Sequence, residues 1–265
     1  MTPRTAVLVI VAVDRPLYRH YLDGYWRALI DYVDAECPDV DVFLLCENGV
    51  RHDLLDGLVH HVIEDPNADY LSLVPPRHRL GGVPGMLSKT IHALKALRGD
   101  YDFFFRTNLS SMIDLPRLRR FVAGRKSIGY AGAWAWTDAL RSQLVHEGWV
   151  GAGKAIEDLA ELDDLPGNTF LSGSGFFLGA AAAAHLVGQR RHLRWGLPDD
   201  VAIGLMFSDH EELPGFSLRL TREQPVDEMV EQLRSTDSAH IRLEHFPVET
   251  ASALWNEMER NPFWR

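Results

Sequence analysis

The first third of the chain alternates between short apolar runs and longer amphipathic stretches. Residues 6–13 are continuously apolar and rich in β-branched side chains, which predicts a strand buried on both faces. Apolar residues then recur at helical spacing over 16–35, where a proline suits the first helical turn. A second strand is predicted at 41–46 and a shorter one at 58–63. Strand, helix and strand at this spacing predict a parallel, Rossmann-like sheet.

Three consecutive phenylalanines, at 103–105, predict the central buried strand. A helix is predicted before it, at 85–97. The strand ends in small polar side chains and a guanidinium: Arg106, Thr107, Asn108 and Ser110. Because ligands bind beyond the carboxyl ends of strands in open α/β sheets, these residues are candidates for the floor of a site. The alternative is a plain turn, in which Asn108 and the serines cap the next segment.

The second half of the chain places glycines and acids next to apolar segments. Residues 128–136 predict a strand with two tryptophans, whose indoles serve either as platforms for a sugar or base or as core. Residues 170–179 are apolar and broken by glycines, which permit a close approach of the backbone to a ligand. Asp199 and Asp200 begin an apolar helix, where a carboxylate either caps the helix or acts as a general base.

Composition narrows the class of protein. The chain has 265 residues, of which 46% are hydrophobic and 24% charged, as in ordinary globular proteins. A net charge of -10 argues against a broad nucleic-acid footprint. The apolar run 6–13 is too short to span a bilayer and has no cleavage pattern, so we expect no membrane partner and a cytoplasmic location. The two cysteines imply no disulfide framework, and Cys46 is expected to be a buried thiol.

One phosphate-binding motif is present only in part. Residues 148–154 match G-x-x-x-x-G-K, but Ala155 follows where Ser or Thr would hold magnesium. The segment before the motif does not resemble a buried strand. We therefore interpret it as a glycine-rich loop.

Two motifs and their spacing resemble the Fringe and β1,3-galactosyltransferase type of glycosyltransferase. The segment 170–178, FLSGSGFFL, is followed about twenty residues later by 197–204, LPDDVAIG. The helix that carries Lys89 and the strand at 101–107 match the first half of the family pattern. The resemblance implies a GT-A fold: one α/β domain over 1–265, with a mostly parallel central sheet flanked by helices. It places the nucleotide-binding half at about 1–115 and the acceptor half at about 116–265.

The resemblance also implies roles for individual residues. Asp200 matches the general base of an inverting enzyme, with Asp199 beside it as the alternative, and His240 is the one candidate metal ligand. The acceptor and sugar pocket would be lined by Trp134, Trp136, Ser172, Gly173, Ser174 and Gly175. The donor would be bound by Val13, Asp14, Lys89, Arg106, Thr107, Asn108 and Ser110. From the residues alone, Lys89 is either a solvated surface lysine or a contact for an anionic ligand.

The chain departs from the family where the family has Asp-x-Asp. Asn108-Leu109-Ser110 stands there, and neutral oxygens are poor ligands for Mn²⁺ or Mg²⁺. Three possibilities follow. Lys89, Arg106 or Arg242 neutralises the leaving diphosphate without a metal, or His240 and the donor hold a metal, or the chain binds without catalysis. Because the Asp199-Asp200 element is intact, we favour an active enzyme.

We therefore expect an inverting glycosyltransferase. It would move a sugar from a nucleotide sugar, by resemblance a UDP-sugar, to a hydroxyl of a glycan, small molecule or modified base. The alternative is a non-catalytic module that binds sugar nucleotides or glycans. A nucleotidyltransferase usually needs carboxylates that hold metal ions, and the end of the central strand has none.

Overall fold

The computed structural model describes residues 2–11, 16–47, 55, 57–66, 83–133, 135–136, 170–195, 199–243, 246 and 248–260. The motif at 148–155 and three predicted site residues, Val13, Asp14 and Trp134, lie outside these residues. Trp136 is described only through its backbone.

The described residues form strands that belong to three sheets. The strands are β1 (Thr5–Ile10), β2 (Val40–Glu47), β3 (Val62–Asp65), β4 (Phe103–Asn108), β5 (Ser111–Ile113), β6 (Tyr130–Gly132), β7 (Ala135–Trp136), β8 (Phe170–Leu171), β9 (Gly175–Gly179), β10 (Glu211–Glu212), β11 (Ser217–Leu220) and β12 (His240–Leu243).

The helices of the described residues lie between these strands. They are α1 (Pro16–Tyr21), α2 (Arg27–Glu36), α3 (Val83–Ala96), α4 (Leu115–Ala123), α5 (Ala180–Gly188), α6 (Asp199–Gly204), α7 (Val226–Ser235) and α8 (Val248–Arg260), with a π-helical turn at Leu22–Trp26 and 3₁₀ turns at Val59–His61 and Arg190–His192. None of these helices has the length and apolar character needed to cross a bilayer.

The main sheet has seven strands in the order β10-β6-β9-β4-β1-β2-β3. β3, β2, β1 and β4 are mutually parallel, and Thr5 pairs with Phe103 while Ile10 pairs with Asn108. β9 runs antiparallel to both of its neighbours, β4 and β6. The prediction of an α/β fold with a mostly parallel central sheet flanked by helices is therefore confirmed.

The central strands β1 and β4 contribute side chains to two hydrophobic cores, because successive side chains of a strand point to opposite faces of the sheet. Val7, Val9 and Phe105 pack with α1, α2, α4 and α7 on one face. Leu8 and Phe104 pack with α3, α5 and α6 on the other. A second sheet, in the order β11-β12-β5, lies on the first face. Its strand β5 is the first strand after β4 in the chain.

Two predicted elements differ in detail from the structure. The helix predicted at 16–35 is interrupted by the π-helical turn. The predicted third strand begins later, at Val62, because a 3₁₀ turn precedes it. His61 anchors that turn, with Nδ1 lying 3.0 Å from the carbonyl oxygen of Val42 and Nε2 lying 3.0 Å from Asp34 Oδ2.

Gly179 joins β9 to α5 at a point with no room for a side chain. A Cβ there would lie 1.9 Å from the carbonyl oxygen of Ile128, while the Gly179 amide donates to Gly129 O at 3.0 Å. Backbone atoms cannot swing aside as a side chain can. The glycine is therefore required by packing rather than by an unusual backbone angle.

We expect Gly179→Ala to lower the free energy of unfolding by roughly 2–3 kcal/mol, the cost of overpacking a tight site. Urea unfolding followed by circular dichroism measures the effect. Gly188→Ala is the matched control, because a Cβ at the end of the same helix meets nothing within 4 Å. Equal stability of the two variants would show that the close approach to Ile128 is not a constraint.

Candidate active site

The carboxyl end of β4 sends alternate side chains to the two faces of the main sheet. Arg106 follows Phe104 toward the helix α3 side, where its guanidinium carbon lies 5.6 Å from the Phe176 ring centroid. Thr107 follows Phe105 toward the second sheet and lies against His240. The strand end predicted as a site floor thus connects to both layers of the protein.

Arg106 is buried, with 1% of its surface exposed, and joins three separate elements. Its Nη2 donates to Asp199 Oδ2 at the start of α6, and its Nη1 donates to the carbonyl oxygen of Gly173. Asp199 is itself 4% exposed. These bonds direct the guanidinium into the interior, and the role of Arg106 toward a donor stays a prediction.

Asp200, the neighbouring acid, is in a different environment. It is half-buried, and its Oδ2 accepts a hydrogen bond from the Gly173 amide at 2.9 Å while Oδ1 accepts one from the Val201 amide at 2.9 Å. A Cβ on residue 173 would lie 3.1 Å from Asp200 Oδ2 and 3.2 Å from its Cβ. Glycine at this position therefore lets the turn approach the carboxylate closely.

The surroundings of Asp200 favour its protonated form. Burial, and next the negative charge of Asp199, raise the pKa of Asp200 to about 7. The Gly173 and Val201 amides and the Arg106 guanidinium act in the opposite direction but are outweighed. A carboxylate with a pKa near neutrality can take up a proton and release it under ordinary conditions, which is what a general base requires.

His240 lies fully buried between the two sheets. Thr107 Oγ1 donates to Ser174 O at 2.9 Å and lies 3.2 Å from His240 Nε2, while Ser217 Oγ lies 2.8 Å from Nδ1. Burial, and next the charge of Arg242, lower the pKa of His240 to about 3, so the ring is neutral. Because the Thr107 hydroxyl already donates its proton to Ser174 O, Nε2 donates to Thr107 and Nδ1 accepts from Ser217.

This arrangement bears on the metal role suggested for His240. Neither ring nitrogen is directed at an open position, and a Cβ on Gly175 would lie 2.8 Å from His240 Cε1. Over the part of the chain that the structure describes, no group of three or more His, Cys, Asp or Glu side chains could hold a metal ion. In this structure His240 packs and hydrogen-bonds within the floor of the site.

The segment Asn108-Leu109-Ser110 does not fit a divalent cation. Asn108 Oδ1 is buried without a hydrogen-bond partner among the described residues, and it is a neutral amide oxygen. The hydroxyl and carbonyl oxygens of Ser110 both accept from Arg242 Nη1. Hard cations such as Mn²⁺ or Mg²⁺ are held by several oxygen ligands, usually including carboxylates. Two neutral side chains and an adjacent guanidinium do not provide such ligands.

Lys89 is not a solvated surface lysine, and its role toward an anionic ligand stays a prediction. It is 4% exposed, and its Nζ donates to the carbonyl oxygen of Val11 at 3.1 Å. Val11 follows Ile10, which pairs with Asn108, so the ammonium lies at the carboxyl end of β1. Beside it, Ser88 Oγ donates to the buried carboxylate of Asp65 at the end of β3.

The π-helical turn supplies two site-supporting residues that the sequence analysis missed. Trp26 Nε1 donates to Leu109 O at 3.0 Å. Tyr25 OH donates to Ile113 O at 3.0 Å and accepts from the Ile113 amide at 2.5 Å. The wider turn directs consecutive side chains at one segment, which a regular 3.6-residue period would not predict. Only the proximity of two large aromatics in the sequence gave any signal.

The turn at Ser172–Gly175 lies against Asp200, to which the Gly173 amide donates. Ser172 Oγ lies 3.0 Å from Ser174 Oγ, and the Gly175 amide donates to Ser172 O at 3.3 Å. The structure thus brings together Arg106, Thr107, Ser172, Gly173, Ser174, Gly175, Asp199, Asp200 and His240. The roles of these residues toward a donor or acceptor stay predictions, as does the role of the Trp136 side chain.

Comparisons with known proteins show similarity of fold only. No family model matches the chain, and no curated protein matches it. A glycosyltransferase involved in the glycosylation of the major capsid of PBCV-1 is similar, with 7% identity, a TM-score of 0.48, and coverage of 97% of this chain and 100% of that one. Mouse xyloside xylosyltransferase 1 has 12% identity and a TM-score of 0.48, with coverage of 91% and 97%.

A third similar structure is glucosyl-3-phosphoglycerate synthase from Mycobacterium tuberculosis, in complex with Mn²⁺, uridine diphosphate and phosphoglyceric acid. It has 14% identity and a TM-score of 0.41, with coverage of 96% of this chain and 75% of that one. With TM-scores below 0.5, these likenesses assign neither a reaction nor a substrate to this chain.

The Arg106–Asp199 pair generates a prediction about stability. Arg106→Met removes the guanidinium and leaves the Asp199 carboxylate buried without its partner. We expect the free energy of unfolding to fall by about 3–5 kcal/mol, the usual cost of breaking a buried pair from one side. Urea unfolding followed by intrinsic tryptophan fluorescence measures this loss.

Two further variants test the cause. Arg106→Met combined with Asp199→Leu removes both charges and is expected to recover much of the lost stability. Arg125→Gln removes a surface ion pair with Glu211, whose side chains are 33% and 44% exposed, and should cost no more than about 1 kcal/mol. A double variant as unstable as Arg106→Met would contradict the idea that the unpaired carboxylate is the source of the loss.

Proposed function

We propose that this protein is a glycosyltransferase that transfers a sugar from a nucleotide sugar to an acceptor hydroxyl with inversion at the anomeric carbon. The observation that carries the proposal is the environment of Asp200. It is a half-buried carboxylate fixed by two backbone amides, with its pKa raised to about 7, beside a glycine turn at the end of the central strand. In the sequence, Asp200 is also the residue that matches the general base of the family that the chain resembles.

In the proposed reaction, Asp200 accepts the proton of the acceptor hydroxyl. That oxygen attacks the anomeric carbon and forms the new glycosidic bond. The bond between the anomeric carbon and the donor phosphate oxygen breaks, and its electron pair leaves with the nucleoside diphosphate. Asp199 is paired with Arg106 and serves to fix this arrangement rather than to take the proton. Asp200 is thus the base and Asp199 a positioning residue.

The donor proposed is a UDP-sugar, and the acceptor is a glycan, a small molecule or a modified base. The competing proposal is a module that binds sugar nucleotides or glycans without turnover, since the acids of the family's Asp-x-Asp are replaced by Asn108 and Ser110. The two proposals differ in whether Asp200 is needed after the donor has bound.

A donor screen with an Asp200→Asn variant separates them. Calorimetry and thermal shift with UDP-, GDP-, CMP- and dTDP-sugars would identify the donor, and donor hydrolysis or transfer would then be followed by release of the nucleoside diphosphate. We expect Asp200→Asn to bind the donor like the wild type but to lose turnover by about 10²–10⁴-fold, the usual contribution of a general base. Asp209→Asn, at an exposed aspartate nine positions further along the chain, is the control. Turnover that survives in Asp200→Asn would eliminate the assigned base, and donor binding with no turnover in the wild type would favour the binding module.

The pKa of Asp200 predicts a pH dependence with a definite sign. Only the deprotonated carboxylate accepts a proton, so kcat/KM should rise with pH through about 7 and level off above it. Because the folded-state pKa is raised above the ordinary value of 3.8, the contribution of Asp200 to stability is fully present below about pH 4 and is lost as the pH rises through about 7.

Asp200→Asn removes both effects. Its residual rate should lack the inflection near neutral pH, and its Tm at pH 8 should be at least that of the wild type. A flat wild-type profile between pH 6 and 8, or a variant with a lower Tm at pH 8, would show that this carboxylate does not titrate as described.

A further inference from the structure

The three cations considered for the leaving diphosphate differ sharply in where they lie. Arg106 is 1% exposed and directed at Asp199 and Gly173. Lys89 is 4% exposed and donates to Val11 O. Arg242 is half-buried and lies in β12, the middle strand of the second sheet. Of the three, Arg242 is the least buried, and it contacts Ser110.

Arg242 is positioned by the backbone as well as by its side chain. In β12 it pairs with Ser111 of β5, and the Leu243 amide donates to Ser110 O at 2.9 Å. Its Nη1 donates to both Ser110 Oγ and Ser110 O. The strand register and the side-chain bonds therefore fix the guanidinium against the second residue after β4.

The charge of Arg242 acts on the floor of the site. It is one of the causes that lower the pKa of His240, two residues earlier on the same face of β12. A divalent cation bound at Asn108 and Ser110 would meet this guanidinium as a like charge, whereas an anion would be attracted to it. A guanidinium also carries five N–H donors in a planar fork, a geometry suited to phosphate oxygens.

We infer that Arg242 holds the donor diphosphate in the place where the resembling family uses a metal ion. The inference rests on the proposed function and adds to it the identity of the group that neutralises the leaving group. Ser110 orients the guanidinium, and Trp26 and Tyr25 hold the segment that carries Ser110. Such a preorganised cation would stabilise the charge that develops on the diphosphate as the glycosidic bond to the donor breaks. The reaction would then need no divalent cation.

The test uses inorganic pyrophosphate and UDP as probes, with calorimetry of the full chain in EDTA and in Mn²⁺. For each probe, we expect the affinity of the wild type to be the same in EDTA and in Mn²⁺. Arg242→Gln should weaken both by about 10–100-fold, as expected when a charge-assisted contact to phosphate is lost. Arg242→Lys keeps the charge and loses the planar fork, so its affinity for the probes should lie between those of the wild type and of Arg242→Gln. Arg222→Gln, whose parent side chain is 70% exposed, should bind like the wild type.

The outcomes separate this inference from the proposed function. Binding that requires Mn²⁺, binding that is unchanged in both Arg242 variants, or no binding of either probe would overturn the inference. Binding in EDTA that depends on Arg242 would support it even if no sugar donor were turned over, and in that case the proposed transferase activity would fail alone. If Arg242→Gln does not fold, Arg242→Lys still tests the inference. It retains the charge, and a loss of affinity at a wild-type Tm would show that the guanidinium itself binds the probe.

Discussion

The contact between Arg106 and Asp199 organises the interior of the candidate site. A guanidinium this deeply buried is costly unless its charge is compensated, and a carboxylate is its natural counter-ion. By pairing with Asp199, Arg106 also determines the environment of Asp200. The two adjacent acids end with different environments, because one is paired with a cation and the other borders on solvent with amide donors. The same guanidinium binds Gly173 O, so the glycine turn and the start of α6 are fixed by a single side chain.

A second set of contacts holds the segment after β4 from both sides. Aromatic side chains of the π-helical turn bond to the backbone of Leu109 and Ile113, while β12 pairs with β5 and places Arg242 on Ser110. The segment that matches the metal-binding acids of the resembling family is here hydrogen-bonded on both sides and contacts the guanidinium of Arg242. These contacts are the basis on which we inferred that the segment binds an anion rather than a metal ion.

Much of the fold could be predicted from the sequence, and less of the site. The apolar runs at β1, β2 and β4 and the helical spacing before β4 gave the parallel sheet, since burial on both faces leaves a plain pattern. The π-helical turn was missed because its extra residue per turn leaves no periodic signal. The pairing of Arg106 with Asp199 could not be foreseen, because nothing in the local pattern links residues 93 positions apart. For the same reason the sequence left open a surface position for Lys89, which is buried against Val11 O.

The pairing of β5 with β12 has a consequence for the synthesis of the chain. The partner of Ser111–Ile113 lies about 130 residues further along, so the ribosome must produce half of the protein before this segment can be covered. Until then, β5 is a short strand with an open edge next to an apolar run, the kind of surface that invites pairing with other chains. Tyr25 and Trp26 are made much earlier and can already bond to this segment. The aromatic pair can thus hold this segment from its other edge, through Leu109 O and the backbone groups of Ile113, before β12 pairs with the edge that faces it.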